Sequence, residues 1–169
     1  MFDPFTILGL PRRFDVDLRA AEKNHRELSR VLHPDKYAGG SATERREALT
    51  KAADVNEAWR ILRDPVRRAE ALFQLEGIAV GETNEPKPDP ELLMEVLEKR
   101  EALADAKNER DVDKVRALEA EVEAREKKIE ETLASAKSFD GALVAKLGEM
   151  RFYRRFLEEA SAVEEELAG

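Results

Sequence analysis

Apolar residues recur along this chain at intervals of three and four, strict alternation is missing, and β-branched residues are scattered. That pattern predicts helices and argues against a sheet. Capping residues and helix breakers set the boundaries. Asp3-Pro4 puts a capping acceptor before a proline at the first helical position, and Gly9 followed by Pro11 ends that short helix. Asp17 is placed to cap a second helix that runs to about Leu32, where Pro34 stops it. Ser41-Ala42-Thr43-Glu44 reads as a capping box that opens a third helix reaching about Arg63. Asp64-Pro65 starts a fourth, which ends near Gly77.

Gly81, Pro86 and Pro88 among polar residues mark 78–88 as a linker. Asp89-Pro90 repeats the cap-and-proline device and opens a helix over about 90–108. Asp111 is placed to cap the next, in which Val115, Leu118, Val122, Ile129, Leu133 and Ala136 keep the helical spacing. Asp140 is placed to cap the last, over about 141–167. Short polar breaks between these three predict an antiparallel three-helix bundle over 89–169. The expected architecture is all-α, seven helices in two parts, 1–77 and 89–169.

Composition fits small bundles: 39% of residues are charged and only 6% aromatic. With no cysteine in the chain, disulfides, thiolate metal sites and a cysteine nucleophile are excluded. No basic run leads into an apolar one at the start, and no 18-residue apolar stretch occurs, so a cytosolic protein is expected. An organelle stays open if a transit peptide once preceded the chain. The net charge of −8 is uneven: residues 1–80 carry 14 Lys/Arg against 13 Asp/Glu, and residues 81–169 carry 15 against 24. Two parts with different electrostatics suggest two surfaces for two partners. A pI near 5.1 and the lack of an extended basic patch argue against nucleic-acid binding.

The most specific motif is His33-Pro34-Asp35-Lys36, between two helices. Pro34 ends one helix and stiffens the tip, so His33 and Asp35 project from a fixed backbone. A carboxylate held this way is suited to pair with an arginine on a partner. Lys23, Arg26 and Arg30 share one face of the preceding helix, while Leu18, Ala21, Leu28 and Leu32 supply much of the other. A basic stripe that ends beside such a tip reads as a dock for an acidic partner. Alone, the stripe would be an ordinary solvated face; the tetrapeptide gives it meaning.

Residues 3–64 resemble a J domain. The resemblance rests on Asp3-Pro4-Phe5-Thr6-Ile7-Leu8-Gly9-Leu10, the basic helix, His33-Pro34-Asp35-Lys36, and the run from Asn56-Glu57-Ala58-Trp59 to Asp64-Pro65. It implies that His33, Pro34 and Asp35, with Lys36, trigger ATP hydrolysis in a DnaK- or HscA-type chaperone on which Lys23, Arg26 and Arg30 dock. His25 and Leu32 stand where many J domains have a bulky aromatic, and His25 is expected to be a partly buried packing residue.

The second part carries a subtler signal. At roughly 100° per residue, Leu92, Val96 and Leu103 form one seam. Leu93 and Leu97 lie off it, and Met94 lies about opposite, beside Glu98, Glu101 and Asp105. Apolar residues off the seam and bordered by carboxylates suggest a partner surface, against the alternative that the bundle buries a wide face. Over its whole length the chain resembles the HscB family of J-domain co-chaperones for iron–sulfur cluster assembly. The matching runs are Arg68 to Gly77, Leu92 to Glu101, and Met150-Arg151-Phe152. The resemblance implies that Leu93, Met94, Leu97, Glu98, Glu101, Asp105 and Phe152 bind an IscU-like iron–sulfur scaffold protein. Asp105 stands where a glutamate is expected. No cofactor, metal or membrane partner is implied.

Two other readings compete. A hydrolase using His33 and Asp35 lacks a nucleophile–base pair and would need a pocket, which a loop tip rarely makes. A J-domain adaptor for another client, or a coiled-coil adaptor, would use the stripe in 112–136, but about four heptads is short.

Overall fold

The computed structural model describes residues 1–81 and 87–169, so part of the linker expected at 78–88 lies outside the described residues. The chain divides into two compact units, Met1–Ile78 and Ala79–Gly169. The described residues contain seven α-helices and no strand.

The first unit holds α1 (Pro4–Ile7), α2 (Leu18–Val31), α3 (Ala42–Leu62) and α4 (Pro65–Leu75). Asp3 accepts from the amides of Phe5 and Thr6, the Thr6 hydroxyl and Arg12 Nε, tying α1 to the turn that follows it. Asn24 Nδ2 donates to the Leu8 carbonyl at 2.8 Å, which locks α2 to the end of α1. The hairpin of α2 and α3 is pinned at its middle, where His25 stacks on Trp59 and meets Asn56 Oδ1 at 2.9 Å. His25 is therefore a half-buried packing residue, as its position suggested. Buried Arg68 donates to the Leu62 carbonyl at 2.7 Å and lays its guanidinium on the Phe14 ring. It thus satisfies the end of α3 with a charge-assisted bond. Phe5, Leu8, Phe14, Ala58, Leu62 and Phe73 fill the core.

The second unit holds α5 (Pro90–Glu109), α6 (Val112–Ser135) and α7 (Val144–Ala168). α6 runs antiparallel to α5, as the pairs Lys99–Glu121 at 2.7 Å and Glu95–Arg125 at 2.6 Å require. α7 runs parallel to α5: Arg100 meets Glu159, and Lys107 meets Glu166 at the same separation of 59 positions. Leu92, Val96 and Leu103 are buried, with 7%, 2% and 5% of their surface exposed. Val115, Val122, Ile129 and Leu133 of α6 are buried too. Most of the stripe on α6 is therefore used inside the bundle, with Leu118 and Ala136 half-buried. Asp140 caps a short 3₁₀ turn, Gly141–Leu143, and α7 itself begins at Val144, slightly later than expected.

Two stability outcomes follow. Burial opposes ionisation of Asp3, but hydrogen bonds from Thr6 and the Arg12 guanidinium outweigh it and hold the carboxyl below the ordinary carboxylate range. A depressed folded-state pKa contributes stability above the unfolded-state value and loses it as pH falls through the folded one. Asp3→Asn is thus expected to be less stable than wild type at neutral pH, with the gap closing in denaturant titrations as pH falls through the depressed folded-state value. In the second unit, Leu103→Ala is expected to lose about 2–5 kcal/mol. The triple change Leu93→Ala, Met94→Ala, Leu97→Ala is expected to shift the melting temperature by only a few degrees. Equal losses in the two would mean that the triple removes core.

Candidate functional site

After α2 the chain turns at once into a 3₁₀ turn, Pro34–Tyr37. Pro34 has no N–H to lose at the first position of that turn. His33 caps it: the Asp35 amide donates to His33 Nδ1 at 3.3 Å, and the Lys36 amide donates to the His33 carbonyl at 3.0 Å. An Nδ1 that accepts leaves the ring proton on Nε2 in the neutral imidazole. His33 thus orients the peptide that carries Asp35. The Asp35 side chain is 91% exposed and points its carboxylate to solvent, with one oxygen 3.5 Å from His33 Nδ1. Lys36 is exposed beside it.

Lys23, Arg26 and Arg30 are all exposed on α2, and Arg26 approaches Glu22 on its own helix at 3.7 Å. Such exposed pairs are weak and readily exchanged for a partner's carboxylate. The expected apolar face of α2 is only partly so: Ala21 is buried and Leu28 and Leu32 are half-buried, but Leu18 is exposed. Val31, absent from the sequence reading, is 56% exposed. It borders an open recess of about 310 Å³ that Ile7, Leu28, Leu32, Lys51, Asp54 and Val55 complete. Helical spacing puts Val31 between the basic stripe and the buried face, so periodicity alone assigns it to neither.

On α5, Leu93, Met94 and Leu97 are 40%, 57% and 49% exposed, in contrast to the buried seam. Glu98, Glu101 and Asp105 are exposed on the same helix. Phe152 of α7 is half-buried, and the parallel register of α5 and α7 sets it level with Leu93. Arg155 was not singled out by sequence; its guanidinium carbon lies 4.7 Å from the Phe152 ring centroid. Its spacing of three from Phe152 is the signal that would have found it. One residue set lies on the first unit and the other on the second. Among the described residues no cluster of His, Asp and Glu suited to a metal ion occurs, and no helix is long and apolar enough to cross a membrane.

Comparison with known proteins accounts for both units. Residues 3–71 match the DnaJ domain model, and residues 88–161 match the model described as the HSCB C-terminal oligomerisation domain. The chain is 33% identical to the co-chaperone HscB homolog of Mannheimia succiniciproducens, over 99% of both chains. It is 37% identical to that of Bordetella pertussis, over 96% of both. The solved HscB of Vibrio cholerae superposes with a TM-score of 0.81 at 29% identity, covering 98% of this chain and 99% of that one. Human HscB gives 0.84 at 28%, covering 95% and 81%. With full-length relatives, a J domain carrying an exposed His-Pro-Asp tip and the matching C-terminal bundle, the chain belongs to the HscB family of co-chaperones, non-enzymatic J-domain proteins that work with DnaK-class chaperones.

Proposed function

We propose that this co-chaperone stimulates the ATPase of a DnaK- or HscA-type chaperone through its first unit and delivers an IscU-like iron–sulfur scaffold protein through its second. The observation that carries the first half is the exposed Asp35 carboxylate, held on a turn that His33 caps and Pro34 stiffens. A fixed carboxylate loses little conformational freedom on docking, so its bond to a partner's arginine is made at low entropic cost. Lys23, Arg26, Arg30 and Lys36 supply long-range attraction toward an acidic surface. The second half is supported by Leu93, Met94 and Leu97, which stay outside the bundle core although nothing in folding requires them to be large and apolar. Phe152 completes that strip, and Glu98, Glu101 and Asp105 border it. Clustered apolar side chains with a polar rim are the anatomy of a protein interface.

Asp35→Ala is expected to fold normally and to abolish stimulation in a steady-state ATPase assay with the partner chaperone. Stimulation equal to wild type would sink the assignment of the trigger. The basic stripe predicts a different signature. Raising ionic strength weakens the complex, and Arg26→Glu lowers the association rate more than it raises the dissociation rate. An affinity that does not change with salt would remove the electrostatic dock. For the client, calorimetric titration with the scaffold protein is expected to detect no binding by the Leu93→Ala, Met94→Ala, Leu97→Ala triple variant. Truncated hot-spot residues each cost about 2 kcal/mol or more.

A further inference from the structure

Sulfur is scarce in this chain, which has three methionines, Met1, Met94 and Met150, and no cysteine. The bundle treats the two internal methionines in opposite ways. Met150 of α7 has 0% of its surface exposed, whereas Met94 of α5 is 57% exposed. At about 100° per residue Met94 falls opposite the seam of Leu92, Val96 and Leu103. Its neighbours three and four positions on are Leu97 and Glu98, both exposed. An exposed thioether meets oxidants that a buried one does not, and its sulfoxide is polar where the thioether was apolar. The carboxylates on this face, Glu98, Glu101 and Asp105, repel anionic oxidants but not neutral hydrogen peroxide. No residue of the His-Pro-Asp tip or of the basic stripe carries sulfur.

We propose that Met94 is a site of reversible oxidation that regulates the client surface: hydrogen peroxide converts its thioether to the sulfoxide, and scaffold binding weakens. This rests on the reading of Leu93, Met94 and Leu97 as the scaffold-binding strip and adds how that strip is controlled. In the reaction a sulfur lone pair attacks one peroxide oxygen. An S–O bond forms as the O–O bond breaks, and the departing hydroxide takes the proton of the transferred oxygen and leaves as water. Sulfur loses two electrons and the peroxide gains them. The new oxygen is a hydrogen-bond acceptor among apolar side chains, and the neighbouring Glu98 and Glu101 carboxylates are acceptors too, so they give it no donor. Covered by an apolar client face, it stays unpaired, which opposes binding. The fold is spared, because the altered side chain lies outside the core. Methionine sulfoxide reductases, one for each sulfoxide epimer, return the thioether and make the change reversible.

The test treats full-length wild type and Met94→Leu with hydrogen peroxide, removes the peroxide, and locates added oxygen by peptide mass spectrometry. Each protein is then titrated calorimetrically with a purified IscU-like scaffold and compared with its own untreated sample. Met94 is expected to gain one oxygen about tenfold or more faster than Met150. Oxidised wild type is expected to keep its melting temperature within a few degrees and to bind scaffold about tenfold or more weakly, and the two reductases are expected to restore its affinity. Met94→Leu is expected to keep its own untreated affinity after peroxide. Equal oxidation rates at Met94 and Met150, or an equal loss of affinity by Met94→Leu, would place the damage elsewhere and overturn the proposal. An untreated Leu97→Ala protein separates the two readings. If Leu97→Ala loses binding while oxidised wild type does not, the strip stands and Met94 does not regulate it. If neither loses binding, the client site lies elsewhere and the proposal falls with it.

Discussion

The first backbone amides of a helix have no acceptor within the helix, and this chain meets that constraint with a side chain at almost every start. Asp3, Asp17, Asp64, Asp89 and Asp111 accept from the first turns of α1, α2, α4, α5 and α6, and Ser41 with Glu44 closes a reciprocal box on α3. Each such cap contributes about 1 kcal/mol, a large share of stability for units whose aromatic content is low. The caps also decide where one helix stops and the next begins, and so where the loops lie. α7 has no side-chain cap of its own, because Asp140 caps the 3₁₀ turn that feeds into it.

The tip of the first unit is the same device put to another use. His33 caps a turn of only four residues, and the residue it orients is Asp35. A cap elsewhere serves the helix behind it; here the turn is so short that the capped segment is the tip itself. The end of α3 is handled by the opposite charge: Arg68 donates to the Leu62 carbonyl and is held by the Phe14 ring, although few arginines are so deeply buried. The α2–α3 hairpin that displays the tip is thereby anchored at both its middle and its base.

In the second unit, narrow seams have a functional consequence. Three helices of 20 to 25 residues pack with a stripe each, and the buried residues of α5 are confined to one side. Apolar residues off that side are only partly covered by the bundle, and Leu93, Met94 and Leu97 keep about half of their surface exposed. The buried seam and the exposed apolar residues thus occupy different faces of one helix. The exposed ion pairs along the edge between α5 and α7, Arg100–Glu159 and Lys107–Glu166, contribute less to stability than to alignment, since exposed pairs are individually weak.

Helix boundaries were legible in the sequence because caps, prolines and glycines act on backbone groups within four residues of themselves. The split of α5 into a buried seam and an exposed set was legible for a related reason: a fixed angle per residue decides which side chains share a face. The same rule grouped Leu18 with the apolar face of α2, yet Leu18 is exposed, because periodicity names a face without saying whether another element reaches that turn. The direction of the tip was legible in His33-Pro34-Asp35, but the 3₁₀ turn with His33 as its cap came only from the folded loop. What no local pattern contains is the offset between helices. That Phe152 stands level with Leu93 depends on the register of α5 against α7. Packing and ion pairs between residues 59 positions apart set that register, and such terms exist only once the chain has folded.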